Sequence, residues 1–427
     1  VLIYVEYITE RLLYTLSFVL ADRKIAYELT NDGIAFMAAS GPKINYSSRE
    51  FDACIQIHPA TLLFSDEIYI DPIQKGTFNH TECLSFDGKS DLLASVFYVL
   101  TRMEEYDSLH TDALGRFEAR ASVLSKYGWL QKAICDEWSV AWIAYVEQVC
   151  AITLKTKKPR FIFQPTFDID NTFAYAHKNN IRSFLAELKD FIFQRKERIR
   201  DRRKVRSGQQ PDPYDSFDQI SEIAAHFPET KVFWLLGNYT KRDKNLSHLN
   251  LAQQDKIKQI AAHAEIGIHG SSLTVHQLQQ YQIEIERLSQ ITAYHPLSNR
   301  QHFLLMRLPN TYQMLLQVGI RHDYTMGYAE QTGFRAGTAR PFKWFNLVKN
   351  EVTDLVVHPF VYMDGTLKEY LNLSPKEAIQ CMEQLYREVK KCGGAFCFIW
   401  HNETIGGYQH WGDYKNVFKA NFEFNRQ

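Results

Sequence analysis

No run in the 427-residue sequence approaches the roughly 20 apolar residues that a bilayer span needs, so no membrane-spanning helix is expected. Net charge is missing as well. The 49 basic side chains offset 49 acidic ones, which removes any global pull toward nucleic acid or an acidic membrane. Cysteine is sparse and unpatterned: seven copies lie singly, without a CxxC pair, as befits reduced and mostly buried thiols. The opening segment, Val1-Leu-Ile-Tyr-Val-Glu-Tyr-Ile-Thr-Glu-Arg11, carries acidic residues inside its apolar run and no cleavage pattern, so it reads as a strand rather than a signal peptide. Cytoplasmic residence is the expectation. Internal repeats and low-complexity tracts do not stand out.

What is present is an ordinary globular composition, 45% hydrophobic and 23% charged, with aromatics high at 14%. That aromatic excess serves core filling or carbohydrate stacking. The length exceeds what one core usually holds, so two domains are expected, 1–155 and 156–427. The basic, polar stretch Leu154-Lys-Thr-Lys-Lys-Pro-Arg160 is the expected linker. Before it, short strand-like runs (Val1–Tyr7, Ile25–Leu29, Ile68–Ile70) mix with helical patterns over Asp91–Tyr106 and Leu130–Val149, an α+β arrangement. No constellation there suggests chemistry, and Thr101-Arg-Met-Glu-Glu-Tyr106 reads as a helix terminus with surface charges or as a groove lining. One local charge run, Arg195-Lys-Glu-Arg-Ile-Arg-Asp-Arg-Arg-Lys-Val-Arg206, reads as a solvated helical face or as a site for a phosphate or lipid-linked anionic donor.

After the linker, short apolar strands alternate with amphipathic helices: Phe161–Phe167, Lys231–Leu236, Glu265–His269, Phe303–Arg307, Leu355–Val357 and Ala395–Trp400 as strands, with helices such as Val275–Thr292 and Pro375–Lys391 between them. Such alternation predicts parallel strands covered by helices, in an α/β barrel or an open sheet. In these architectures reactive groups gather at the carboxy ends of strands. Three polar clusters sit there: Asp168 and Asp170, then His269, then His401. Two carboxylates and two imidazoles offer the oxygen and nitrogen ligands, the base and the acid of a hydrolytic metal site. Taken singly, each has a plainer reading, an aspartate as a helix N-cap or a histidine as a structural side chain.

Residues 160–427 resemble the polysaccharide deacetylase family, the NodB-homology domains of carbohydrate esterase family four. The family's Thr-Phe-Asp-Asp-Gly motif is similar to Thr166-Phe-Asp-Ile-Asp170, and its histidine motif to Glu265-Ile-Gly-Ile-His269-Gly-Ser-Ser272. Its Arg-Pro-Pro-Tyr motif is approximated by Arg300-Gln-His-Phe303, an Asp-containing segment by Gly319-Ile-Arg-His-Asp323-Tyr-Thr-Met-Gly-Tyr328, and the closing Leu-x-His by Ile399-Trp-His401. The whole chain also resembles a narrower bacterial subgroup with its own amino-terminal domain, on Thr101–Tyr106, Gly115-Arg-Phe117, Asp323–Tyr328, Gly333-Phe-Arg-Ala-Gly337 and Trp400-His-Asn402. The resemblance implies a distorted (β/α) barrel behind a smaller α+β domain. It further implies a metal-dependent hydrolase of carbon–nitrogen, non-peptide bonds that removes acetyl groups from an N-acetylated sugar or polysaccharide, with a divalent ion, zinc first, and a carbohydrate substrate.

Two departures shape the ligand set. The family's second metal histidine stands four residues after the first, and here that position is Leu273. A replacement must come from elsewhere, His302 in preference to His276, or no metal binds. The family's adjacent aspartates are here separated by Ile169; in an extended chain residues i and i+2 point the same way, so both carboxylates can face one pocket. The roles implied are Asp168 as general base, Asp170, His269 and His302 as metal ligands and His401 as general acid, with the two aspartate roles open to exchange. Arg300 or Arg335 would orient Asp168, and Asp323 would tune His401. Trp344, Trp400, Tyr328 and Trp411 are candidates for stacking on sugar rings. The alternatives are a same-fold hydrolase of another amide, or a non-catalytic carbohydrate-binding or scaffold protein that has lost its metal. Oligomeric state is not legible.

Overall fold

The computed structural model describes residues 1–52, 54–106 and 108–426. The carboxy-terminal part is built on nine strands. Their spatial order is Phe342–Asn346, Glu351–Val357, His322–Asp323, Ser298–Gln301, Glu265–Gly270, Lys231–Trp234, Phe161–Ile169, Gly394–His401 and Tyr362–Met363. All neighbours run parallel except the first pair, an antiparallel edge. The chain is therefore mixed α/β with a sheet rich in parallel strands, as the alternation predicts.

Period-two alternation sorts the side chains of this sheet between two layers. Along Gly394–His401, Phe396, Phe398 and Trp400 join the large core beneath the helices, while Ala395, Cys397 and Ile399 join a smaller cluster with Phe233, Leu304, Tyr324, Ala329 and Phe360. On Phe161–Ile169 the same alternation sends Phe163, Phe167 and Ile169 to the large core. Gln164, Thr166 and Asp168 are left in the other phase. Residues from distant strands thus meet in the small cluster. Backbone bonds from Phe360 N to Met326 O (3.0 Å) and from Val361 N to Cys397 O (2.9 Å) tie the segment after Glu351–Val357 to both sides of it. Gly267 is needed where two strands crowd: a Cβ there would lie 2.6 Å from the Phe233 ring and 2.8 Å from Ser298 O.

Residues 1–150 form a four-stranded parallel sheet, ordered Glu28–Thr30, Leu2–Tyr4, Lys43–Tyr46 and Gln56–Ile57, beside an antiparallel meander over Gln74–Phe78, Thr81–Phe86 and Lys89–Ser90. Every residue of helix Leu92–Leu100 is buried, and Asp91 caps it by accepting from the Leu93 and Ala94 amides. The helix stops at Leu100, short of the expected Tyr106, because Arg102 turns into the left-handed region at φ 56°. Ile68–Ile70, expected as a strand, has no regular structure.

The expected surface charges at 101–106 are in fact enclosed. Arg102 bonds Glu104 and Glu105 at 2.7 Å each, and Glu105 pairs with Arg335 from the carboxy-terminal part at 2.6 Å. A second buried group joins Asp136 to Arg23 (3.0 Å) and Arg340 (2.7 Å). These contacts and a single continuous apolar core fasten residues 1–150 to the nine-stranded sheet.

Candidate metal centre and cleft

Strand register places the chemistry. His401 pairs with Asp168 across one ladder, and His269 with Arg300 across another. Asp170 follows Asp168 in phase just past the strand end. Its Oδ1 lies 3.2 Å from His269 Nε2 and its Oδ2 3.5 Å from His302 Nε2. One ligand atom from each of these three residues fits within 4.8 Å of the others, so Asp170, His269 and His302 form a possible metal-binding group.

The donor chemistry fits a cation. His269 Nδ1 is 2.8 Å from Arg300 O. A carbonyl can only accept, so the proton is assigned to Nδ1 and the Nε2 lone pair faces Asp170. His302 Nδ1 is held at 2.8 Å by Asp243 Oδ1, the carboxylate–histidine arrangement that fixes a ligand imidazole. Asp243 is itself fixed by the Ser272 amide (3.0 Å), the Ser272 hydroxyl (2.5 Å) and Thr240 Oγ1 (3.0 Å). Asp170 Oδ1 is buried with no hydrogen-bond partner among the described residues, an oxygen whose desolvation a bound cation would offset.

The field of the site is consistent with this. Burial alone would lower the His302 imidazolium, but Asp170 and Asp243 bring it up to about 9. Burial would raise Asp243, yet His302 and Ser272 hold it near 2. Asp170 is likewise held well below the usual carboxylate range against its burial, first by the charge of His302. These opposed shifts describe a place that carries positive charge between carboxylates.

Asp168 sits beside this group. Its Oδ1 accepts from Arg300 Nη1 at 2.7 Å, while Oδ2 lies 3.8 Å from His269 Nε2. Arg300 is fully buried; it also donates to Thr166 Oγ1 (2.8 Å) and Tyr324 O (2.9 Å) and lies over the Phe233 ring. His401 presents Nε2 4.0 Å from Asp170 Oδ2. Asp364 holds its Nδ1 at 2.7 Å and its backbone amide at 2.9 Å. Although burial opposes it, Asp364 raises the His401 imidazolium well above its ordinary range.

Six of the eight residues singled out in the sequence therefore converge, and two do not. Arg335 is 2.6 Å from Glu105 and donates to Gly327 O (2.9 Å); its charge is spent at the junction with residues 1–150 rather than on Asp168. Asp323 accepts from Asn299 Nδ2, Thr325 Oγ1 and the Thr325 amide. It is a buried hydrogen-bond hub, and the carboxylate on His401 is Asp364. His276 is exposed, as is His263. The strand expected at Phe303–Arg307 is instead Ser298–Gln301; Phe303 and Leu304 enter the left-handed region at φ 58° and 56°, which turns the chain immediately after His302.

A cleft of about 310 Å³ opens over the site, lined by Phe303, Tyr370, Tyr408 and Trp411 among others. Of the aromatic candidates only Trp411 reaches it; Trp344, Trp400 and Tyr328 are core residues. Residues 1–150 contribute to the cleft after all: Arg116 lines it and donates to Phe303 O (3.1 Å) and Tyr370 Oη (3.3 Å). Glu403, also in the wall, is pushed up to about 7 by burial and by Asp170. Asp243, Asp364, Arg116 and Glu403 were missed in the sequence. An acceptor behind each imidazole was the missing requirement, and only the fold names it: Arg300 O for His269, Asp243 for His302 and Asp364 for His401.

The pattern of a family of unknown function (DUF7033) matches residues 1–150. No curated protein matches the chain. Among solved structures, a chain from Mycobacterium smegmatis provisionally designated a polysaccharide deacetylase is 16% identical, with a TM-score of 0.39; the match covers 62% of this chain and 84% of that one. A GH138 enzyme targeting pectin rhamnogalacturonan II is 9% identical with a TM-score of 0.24; the match covers 94% of this chain and 46% of that one.

Proposed function

We propose that the chain is a metal-dependent hydrolase that removes acetyl groups from an N-acetylated sugar or polysaccharide. Its nine-stranded sheet is then a distorted (β/α) barrel of the polysaccharide deacetylase type, and residues 1–155 a smaller domain that supplies Arg116 to the cleft wall. The observation that carries the reading is the convergence of Asp170, His269 and His302 with Asp168 and His401 in one cleft. The motif resemblance at Thr166–Asp170, His269 and His401 supports it. Leu273, where the family has its second histidine, is offset by His302, which reaches the same point from a neighbouring strand end.

Asp170, His269 and His302 would hold the metal, zinc first. When bound, a divalent ion supplies Lewis acidity, polarising a carbonyl and acidifying water. Asp168 keeps Oδ1 on Arg300 and so points Oδ2 at the centre, where it takes the proton of the attacking water. His401, held cationic by Asp364, delivers a proton from Nε2 to the nitrogen as the carbon–nitrogen bond breaks. Arg116 and Trp411 line the cleft where a sugar ring would lie.

The test is acetate release from N-acetylglucosamine oligomers by zinc-loaded protein. Asp168→Asn and His401→Ala should each lower turnover by about 100-fold or more. Turnover unchanged in both would overturn the reading. Zinc binding without acetate release from any N-acetyl sugar would favour another amide as substrate.

A further inference from the structure

Helix Asn180–Ile192 is amphipathic in the wrong sense for a helix packed on a core. Phe184, Leu188 and Phe191 recur at i, i+4 and i+7, yet Phe184 is 67% and Phe191 72% exposed. Leu185, Ile192 and Phe193 extend the exposed apolar face, while Ser183 and Asp190 are buried. The inversion is built in. Asp190 bonds Arg202 at 2.6 Å and lies 3.6 Å and 3.8 Å from Arg195 and Arg198, so rolling the helix inward would pull this carboxylate away from three guanidinium groups. A contiguous apolar surface of this kind marks an interaction site.

Charge identifies the occupant. Between residues 189 and 206 stand nine basic side chains against three acidic ones, in a chain whose net charge is zero. Lys189, Arg195, Lys196, Arg200, Arg203, Lys204 and Arg206 are exposed, most of them on helix Lys196–Arg206, which folds back on the first. Large apolar side chains beside a band of lysine and arginine match the boundary of an anionic bilayer, with acyl chains under the former and headgroups around the latter. A second protein surface would satisfy the apolar face but has no need of the cations. No helix among the described residues is long and apolar enough to cross a membrane, so the hairpin would lie on the surface.

The geometry points to the helical hairpin 180–206 as a docking element for an anionic phospholipid surface. It adjoins the cleft: Asp201 Oδ2 accepts from Tyr408 Oη at 3.0 Å, and Tyr408 lines the cleft wall. Docking there would set the cleft close to the headgroups, where a membrane-borne glycan is presented. The inference stands independently of the hydrolase reading, because it concerns residues outside the metal centre.

The experiment is co-sedimentation of the full chain with phosphatidylcholine vesicles containing roughly one third phosphatidylglycerol, against pure phosphatidylcholine, at low and high salt. Binding is expected to the anionic vesicles only and to weaken with salt. Phe184→Ser with Phe191→Ser, and separately Arg200→Glu with Lys204→Glu, should each lower the partition coefficient about tenfold or more. Unchanged circular dichroism and thermal midpoint would show that these exposed sites leave the fold intact. Absence of binding to anionic vesicles, or binding unaffected by both pairs, overturns the proposal. So does a dimer in sedimentation equilibrium that the phenylalanine pair dissociates while vesicles are ignored.

Discussion

Replacing Asp243 by Asn tests the centre without touching a ligand. The carboxylate sits 2.8 Å from His302 Nδ1 and receives three other hydrogen bonds, from the Ser272 amide and hydroxyl and from Thr240. An asparagine fills the same volume, and its Oδ1 keeps the contact to the imidazole, so ring orientation survives while the charge is lost. A full charge pair at this range is worth about 6 kcal/mol at the effective dielectric of a protein surface. A charge-assisted bond exceeds a neutral one by only about 1–2 kcal/mol net. The smaller figure applies, because a hydrogen bond remains. It corresponds to about a 5- to 30-fold loss of metal affinity, overlapping the roughly 10- to 100-fold typical of such a partner's removal. Calorimetric titration of metal-stripped protein with zinc measures it. In the metal-free protein the His302 imidazolium, raised to about 9 by Asp170 and Asp243, should also titrate at lower pH in the variant. Zinc affinity equal to the parent's would refute the assignment of His302 as a ligand held by Asp243.

Arg300→Met should destabilise by about 3–5 kcal/mol in urea, since it leaves Asp168 buried without its cation; a loss below about 1 kcal/mol would remove the case for a buried pair. Glu105→Gln should weaken the junction between residues 1–150 and the sheet by a similar mechanism, leaving Arg102 and Arg335 short of a carboxylate, and should lower the midpoint of a single unfolding transition. His358 gives an acid limit. Burial, with His322 and Lys231, lowers it from 6.5 to about 3, so the unfolded chain gains a proton below 6.5 that the folded chain refuses. Stability should therefore fall as pH drops from 6.5 toward 3, by ~2 kcal/mol after the first one and a half units. His358→Gln should flatten that slope in urea titrations at stepped pH, and an unaltered slope would show that another group sets it.

Much of the architecture was legible because it is local. Strand–helix alternation after residue 160 announced a parallel sheet, and period two placed Asp168 and Asp170 in one phase; the structure has both. Element ends were less legible where one backbone angle decides them, as at Arg102 and Phe303. The enclosed charges at 102–105 resemble any solvated helix end, since their partner Arg335 lies 230 residues away. The exposed face of Asn180–Ile192 carries the periodicity of a buried helix, and only its neighbours show which side faces inward.

By itself, then, the sequence determined which side chains stand at strand ends and in which phase, because strand geometry repeats every two residues whatever surrounds it. The tertiary structure decided the pairing. Whether Arg300 or Arg335 meets Asp168, whether Asp323 or Asp364 holds His401, and how His302 stands in for the histidine absent at Leu273 all depend on which strands lie side by side. Hydrogen bonds and ion pairs act over about 3–4 Å, so separation along the chain carries no information about them once the sheet has formed. The Asp168–Asp170 segment marked the place, and the fold supplied the partners that give it its chemistry.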